Sequence, residues 1–380
     1  MKRSRDVRKA LLRASNPDGD YSRTVRRSGL EFSTALAVAS VIAAISVALS
    51  LGMSLHDPDG STGPTYIRLP VIVALALLAD IVPRSVIKAS GWRDMRRATA
   101  SVWQERWTPV NLRFMLLGLA GWYATYAAIR NLKGFVPFAN GNLYDSNLAR
   151  LDRAMFFGHR PAELMHQVLG TDLAAHVLSF SYILWIVLLP ASLAISLVCA
   201  RHDRISSWWV TAVSVDWVLG VVINYALPTV GPIYERPGDF ADLPTTGTTS
   251  LQQNMWTERI DVLSDPSHAD TVQNIAAFAS LHVAIAMTAC IVAHRAGLHR
   301  VLVWALRLFL VVTMLATVYF GWHYVSDVIA GLLLGIVGAW VGEYFAAPDE
   351  DQAVPPSRIE TVDVDSEIDA TDLAGSRTRE

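Results

Sequence analysis

Eight stretches of this chain are apolar over about the length needed to cross a lipid bilayer: Phe32 to Met53, Tyr66 to Ile87, Leu112 to Ile129, Leu173 to Ala200, Trp208 to Leu227, Ile275 to Ala293, Val301 to Phe320 and Val325 to Phe345. A hydrocarbon core about 30 Å thick asks for roughly 20 mostly apolar helical residues. Backbone amides and carbonyls inside lipid have only one another as partners, so spans of this kind form helices. The fold class is therefore all-α, a polytopic membrane helical bundle of about eight transmembrane helices. With 52% of its 380 residues apolar and 17% charged, the chain is too oily for an ordinary soluble domain of this size.

Charge is segregated along the chain, and the segregation orients it. Lys and Arg in short connections stay preferentially in the cytoplasm. The amino-terminal arm, residues 1–31, is strongly basic, and the first apolar run behind it reads as a retained anchor rather than a cleaved signal. An eight-span count returns to that side Lys88 to Asn111, the turn at Arg201 and Arg204, and the turn at Arg295 and Arg300, all of them basic. The opposite side receives His56 to Thr65 and Gly321 to Tyr324, which carry no Lys or Arg, and two long segments, Arg130 to Thr171 and Pro228 to Asn274, expected as ordered loops or short interfacial helices. Beyond Ala346 the composition turns acidic and polar, and residues 347–380 are expected as a disordered tail. Both termini are thus expected in the cytoplasm of a cell-membrane protein.

Several classes drop out. Cys199 and Cys290 each sit in an apolar run, which suggests neither a disulfide framework nor a thiolate metal site. No phosphate-cradling glycine loop or nucleic-acid motif occurs, so no nucleic-acid partner is expected; the bilayer is the expected environment, and oligomeric state is not legible. Trp122, Trp208, Trp209 and Trp322 lie near span ends and read first as an interfacial belt.

Ionisable residues at membrane depth are costly and need a reason. Two clusters stand out: Phe278-Ala279-Ser280-Leu281-His282 at the outer end of the sixth span, and Gly321-Trp322-His323-Tyr324-Val325-Ser326-Asp327 running into the eighth, with Ala330-Gly331 a turn further on. The orientation places both on the outer side, although neither was used to derive it. His323 and Asp327 are four residues apart and share a helix face, so the carboxylate can accept the imidazole proton and leave the other ring nitrogen as nucleophile or base. A second imidazole, His282, can then protonate a leaving oxygen. Small residues at Ala279, Ser280, Ala330 and Gly331 let the two helices approach. Lone histidines such as His268 and His299 read as structural. Two imidazoles and a carboxylate are also a metal-ligand set, held as a minor alternative.

At these residues the chain resembles the type 2 phosphatidic acid phosphatase superfamily, whose later signatures are Pro-Ser-Gly-His and Ser-Arg-x5-His-x3-Asp. It looks more closely like the inositol phosphorylceramide synthase-like branch, through Ser280-Leu281-His282, the His323 to Asp327 run, Tyr144-Asp145-Ser146-Asn147-Leu148, Leu151-Asp152-Arg153, Phe157-Gly158, and Tyr225 to Pro228 with Pro232. The resemblance implies a six-helix catalytic core within residues 112–346, preceded by two extra spans and a basic loop in 32–111. It implies a phosphohistidine on His323, orientation by Asp327, general-acid duty for His282 and phosphate binding by Ser280, with no metal or other cofactor. Tyr324 and Arg236 are further substrate-binding candidates.

The chain departs from the signatures at their cations. Lys-x6-Arg-Pro survives only as Arg236-Pro237, with Thr229 at the lysine position, and Thr317 replaces the arginine of the third signature. Phosphoryl transfer depends on neutralising the non-bridging oxygens, which makes Arg236 the first substitute, with Arg153 and Arg259 behind it unless these are solvated loop charges. Asp145 and Asp152 leave two readings open, binding of a sugar or polyol acceptor, or helix capping. The expected function is a membrane lipid phosphatase or phosphotransferase acting on a phospholipid or polyprenyl phosphate, extending to transfer of an inositol-phosphate type head group. The alternative is a non-catalytic lipid-binding or transport protein with a degenerate site.

Overall fold

The computed structural model describes residues 18–58, 65–198, 203–266 and 271–346. Residues 1–17 of the basic arm, the acidic tail, Cys199 and His268 lie outside the described residues. In chain order the α-helices are α1 Asp18–Leu51, α2 Thr65–Lys88, α3 Met95–Arg106, α4 Pro109–Ala139, α5 Asp145–Met155, α6 Pro161–Leu169, α7 Leu173–Val198, α8 Asp203–Ala226, α9 Pro232–Glu235, α10 Gly247–Ser264, α11 Leu281–Arg295, α12 Arg300–Tyr319 and α13 Val325–Phe345, with a 3-10 turn at Pro237–Phe240. The described residues contain no strand. Seven helices (α1, α2, α4, α7, α8, α12 and α13) are long and apolar enough to cross a membrane, and α11 is a shorter apolar helix. The chain is an integral membrane protein built as a helical bundle.

The bundle is organised around α8. Its most apolar stretch is 72% buried, against 22% for α1, because α1, α4, α7, α11 and α13 all pack on it. The residues it buries mix small and polar side chains, including Ser206, Ser207, Thr211 and Ser214, with the large apolar Trp208, Val210 and Val213. In lipid, where apolar contact alone does not drive helices together, small side chains let backbones close up and polar ones bond across the gap. Trp208 Nε1, for instance, donates to the Ala339 carbonyl of α13 at 2.8 Å. The span α2 sits at the edge, touching α3 and α7.

Two expected spans are corrected. The third does not stop at Ile129 but runs ten residues further, to Ala139, and protein groups meet the first polar residues of the extension. Asn131 bonds the Ala127 and His56 carbonyls at 2.8 and 2.9 Å, and Arg130 lies over the Tyr126 ring. The sixth does not begin at Ile275: residues 271–280 are non-helical and the helix starts at Leu281. Irregular backbone at this depth survives only where protein supplies its partners. Thr229 supplies two of them, its carbonyl accepting from Ala277 N at 3.0 Å and its hydroxyl from Phe278 N at 2.8 Å. Ser280 N reaches the Asp327 carbonyl at 3.2 Å.

The connections at one end of the bundle fold into α5, α6, α9 and α10, as short helices. They gather over the ends of α4, α7, α8, α11, α12 and α13. His166 of α6 contacts the Tyr319 carbonyl at 2.9 Å, Gln252 of α10 donates to the Phe320 carbonyl at 2.7 Å, and Tyr144 N donates to the Pro228 carbonyl at 2.9 Å.

Candidate active site

The turn between α12 and α13 is what presents His323. Gly321 adopts φ +68°, a left-handed conformation that L side chains rarely take, and a Cβ there would lie 2.3 Å from the Phe240 ring. The chain then reverses, His323 N donating to the Thr317 carbonyl at 3.2 Å. Asp327 stands in the first turn of α13, where its Oδ2 accepts Tyr324 N at 2.9 Å and lies 3.4 Å from His323 Nδ1. The carboxylate is fully buried and the imidazole 6% exposed. Their separation is a few tenths of an ångström longer than an ordinary hydrogen bond, and His323 Nδ1 and Asp327 Oδ1 have no hydrogen-bond partner among the described residues. Burial, reinforced by the positive charge of Lys133, pushes the His323 imidazole down from 6.5 to about 3, with the Ala277 carbonyl pulling weakly the other way. It is neutral near pH 7, the state a nitrogen nucleophile needs.

His282 comes from the first turn of α11. Its ring centroid lies 5.9 Å from that of His323, and it is held against Tyr182 at 4.7 Å and Trp185 at 4.4 Å, both on α7. The approach of α11 to α13 depends on Gly331, where a Cβ would sit 2.5 Å from the Ser280 carbonyl. Ser280 is itself fully buried and caps α11, its hydroxyl facing Val283 N at 3.5 Å. Thus the two sequence clusters do meet, at one end of the bundle.

On the loop side His323 borders a cavity of about 50 Å³. Its wall includes Arg153, Arg160, Arg236, Asp152, Glu235 and Tyr324. Arg160 is committed to Glu163 and Asp239, at 2.9 and 2.7 Å. Arg236 approaches Glu235 through Nε at 3.8 Å, and this buried Nε has no hydrogen-bond partner among the described residues. Arg153 makes no ion pair among the described residues. Arg259 is neither in this cavity nor solvated: it is 7% exposed and donates to Gln273 Oε1 at 2.9 Å. The Tyr324 hydroxyl is engaged by Glu235 at 2.7 Å and Asp145 at 3.3 Å, and burial, reinforced by the charges of Asp145 and Glu235, pushes it above its ordinary range.

Asp145 and Asp152 are both committed to backbone. Asp145 accepts from Val230 N and Gly231 N, and Asp152 from Val325 N and Ser326 N at 2.7 and 3.0 Å, at the start of α13. Burial pushes both carboxyls up, and the amide donors oppose the shift. Among the described residues no group of three or more His, Cys, Asp or Glu side chains is arranged to hold a metal ion, so the metal set weighed for His282, His323 and Asp327 is not formed. His299 caps α12 through Val301 N.

Against protein families, residues 146–341 match the PAP2 superfamily. The chain belongs to the PAP2 superfamily. No curated protein and no solved structure gives a significant match. Membership supports a membrane phosphatase of the lipid-phosphate type, and the matched stretch runs from α5 into α13, containing His282, His323 and Asp327. In this PAP2 protein the two threonines at signature-cation positions are structural. Thr229 carries the backbone of 277–278, and Thr317 is fully buried with its hydroxyl on the Met314 carbonyl at 3.0 Å.

Ending the third span at Ile129 left a cation out of the bundle: Lys133 lies on the part of α4 beyond that point. The available signal was a lysine four residues short of Pro137 in a run whose apolar residues, Leu132, Phe135 and Val136, continue a helical face.

Proposed function

We propose that this PAP2 protein is a membrane lipid phosphatase or phosphotransferase working through phosphohistidine. The observation that carries the reading is the 5.9 Å separation of two imidazoles from different helices, one of them backed by a buried carboxylate at 3.4 Å. His323 Nε2 attacks phosphorus as the bond to the lipid oxygen breaks, and His282 delivers a proton to that oxygen. In the second half-reaction His282 takes the proton of an incoming hydroxyl, whose oxygen forms the new P–O bond as P–N breaks. Asp327 holds the tautomer and balances the imidazolium. Arg153 and Arg236 line the cavity beside His323 and face the non-bridging oxygens, with Ser280 and Tyr324 acting through the backbone and carboxylates they hold.

The acceptor is water or a polar hydroxyl. A cavity of about 50 Å³ holds water, whereas a sugar or inositol ring requires the loop helices to open. The inositol phosphorylceramide synthase-like stretches around Tyr144, Asp152 and Ser280 favour head-group transfer. In this reading residues 112–346 form the catalytic domain, the site faces the extracytoplasmic side of the cell membrane, and both termini are cytoplasmic, an orientation supported by the distribution of Lys and Arg.

The test supplies purified protein with phosphatidic acid, polyprenyl diphosphate and phosphatidylinositol, follows phosphate release and head-group exchange, and traps the intermediate by alkaline quench. His323→Ala is expected to abolish turnover, and His282→Ala to lower it by about 10²–10⁴-fold. Turnover unchanged in His323→Ala rejects the mechanism. A second reading, a lipid-binding protein without catalysis, is favoured by the buried Thr229 and Thr317 where signature cations would stand; it predicts stoichiometric binding, no turnover and indifference to His323→Ala.

A further inference from the structure

A helix on the surface of a folded domain ordinarily turns its apolar stripe inward and its charges outward. The helix α5 does the reverse. Successive residues rotate by about 100° around its axis, which divides it into three flanks. The acidic side faces the protein: Asp145 and Asp152 are buried, and Ala149, Asp152 and Arg153 wall the cavity beside His323. Ser146, Asn147 and Arg150 form an exposed polar flank, on which Arg150 donates to Asn147 at 2.9 Å. Leu148, Leu151 and Met155 form the third, with Leu148 half-buried and Leu151 and Met155 exposed.

The turn that ends the helix adds a second apolar group with nothing to cover it. Gly158 N donates to the Arg153 carbonyl at 2.7 Å and His159 N to the Phe156 carbonyl at 3.0 Å, so the helix closes through a left-handed residue, the place that glycine usually fills. Here that residue is Phe157, at φ +53°, with Gly158 following at φ +93°. A bulky side chain is an outlier in this region. Phe157 is also 95% exposed, so no contact inside the protein offsets the strained backbone.

Asp152 fixes how far along the bundle α5 lies. It accepts Val325 N and Ser326 N, from the first two residues of α13. Ile329 and Leu333, one and two turns into that span, present exposed apolar side chains. The lipid-facing surface of α13 thus begins about 6 Å along the axis from this contact, at 1.5 Å per residue. Interfacial helices sink their apolar side about 5–10 Å into the boundary between headgroups and acyl chains. A helix at this height, with one exposed flank polar and the other apolar, has water on the first and lipid on the second.

We propose that Leu151, Met155 and Phe157 form an interfacial docking surface, seated in the acyl boundary of the leaflet at this end of the bundle. The occupant is the bilayer, continuous with the surface that already meets Ile329 and Leu333. Because the opposite side of α5 walls the cavity, this seat holds the His323 cavity at headgroup height.

The experiment places a nitroxide spin label at Met155→Cys, at Phe157→Cys and, on the polar flank, at Arg150→Cys. Each is made in the full-length protein carrying Cys199→Ala and Cys290→Ala, checked for wild-type melting and reconstituted in nanodiscs of phosphatidylcholine and phosphatidylglycerol. Collisions with oxygen, which concentrates in lipid, and with a water-soluble nickel chelate report the depth of each label whether or not the protein turns over a substrate. The oxygen-to-nickel ratio at Met155→Cys and Phe157→Cys is expected to exceed that at Arg150→Cys several-fold. Equal ratios at the three positions overturn the proposal. Exclusion of both reagents, with dipolar broadening that vanishes on dilution into unlabelled protein, also overturns it and assigns the face to a second copy of this chain.

Discussion

Asp152 holds the amide of Ser326 at 3.0 Å, and through this one carboxylate a short loop helix governs the start of the helix that carries Asp327. The same side chain takes Val325 N at 2.7 Å. The first amides of a helix have no partner within it and carry the positive end of its dipole, so an acidic acceptor there is doubly favourable. Because α5 also forms a wall of the cavity beside His323, the contact couples the site's loop wall to the helix that orients the nucleophile.

Asp152→Ala should therefore destabilise the protein by about 1–3 kcal/mol, the cost of leaving buried donors unmet. Asp152→Asn, which keeps an oxygen acceptor, should lose less. Thermal or denaturant unfolding in detergent measures this, and an unaltered midpoint in Asp152→Ala would show that the cap contributes nothing.

The His323 environment makes a pH prediction. Its imidazole is pushed down from 6.5 to about 3 in the folded chain, so the folded state favours the neutral ring. Stability from this group is complete above pH 6.5 and is lost as pH falls toward about 3, amounting at the bottom to the order of 5 kcal/mol. Asp145 and Asp152, whose carboxyls are pushed up, act in the other direction and lose their contribution as pH rises. The difference between wild type and His323→Asn isolates the histidine: the wild-type midpoint should drop more steeply below pH 6.5. Parallel curves would contradict the assignment of a buried neutral ring.

Restoring a signature residue should fail at Thr317. That side chain is fully buried on α12 and bonds the Met314 carbonyl, and its own carbonyl receives His323 N. A guanidinium placed there is an unpaired buried charge that overfills its site. Thr317→Arg should give little folded protein and no gain in kcat/KM, whereas Thr317→Val should fold. Folded Thr317→Arg with higher kcat/KM would show that the missing arginine limits the reaction.

Much was legible from one dimension because its physics is local. The bilayer's thickness fixes how long an apolar run must be, so the spans and the all-α class follow from residue type alone. The four-residue spacing of His323 and Asp327 follows from helical period in the same way. Span ends were less legible, since whether Arg130 and Asn131 end a helix depends on the Tyr126 ring and the His56 carbonyl reaching them.

Tertiary packing alone decided the rest. Asp145 and Asp152 are committed to backbone because Val230, Gly231, Val325 and Ser326 arrive beside them from residues 85 to 174 positions away. Lys133 stands on a helix and not in a loop because α4 continues past Ile129, where Gln273 donates to the Lys133 carbonyl. Residue chemistry and spacing along the chain say what a side chain can do. Which helices close around Gly331, and therefore which charges share a cavity, is set by long-range packing that no local pattern encodes.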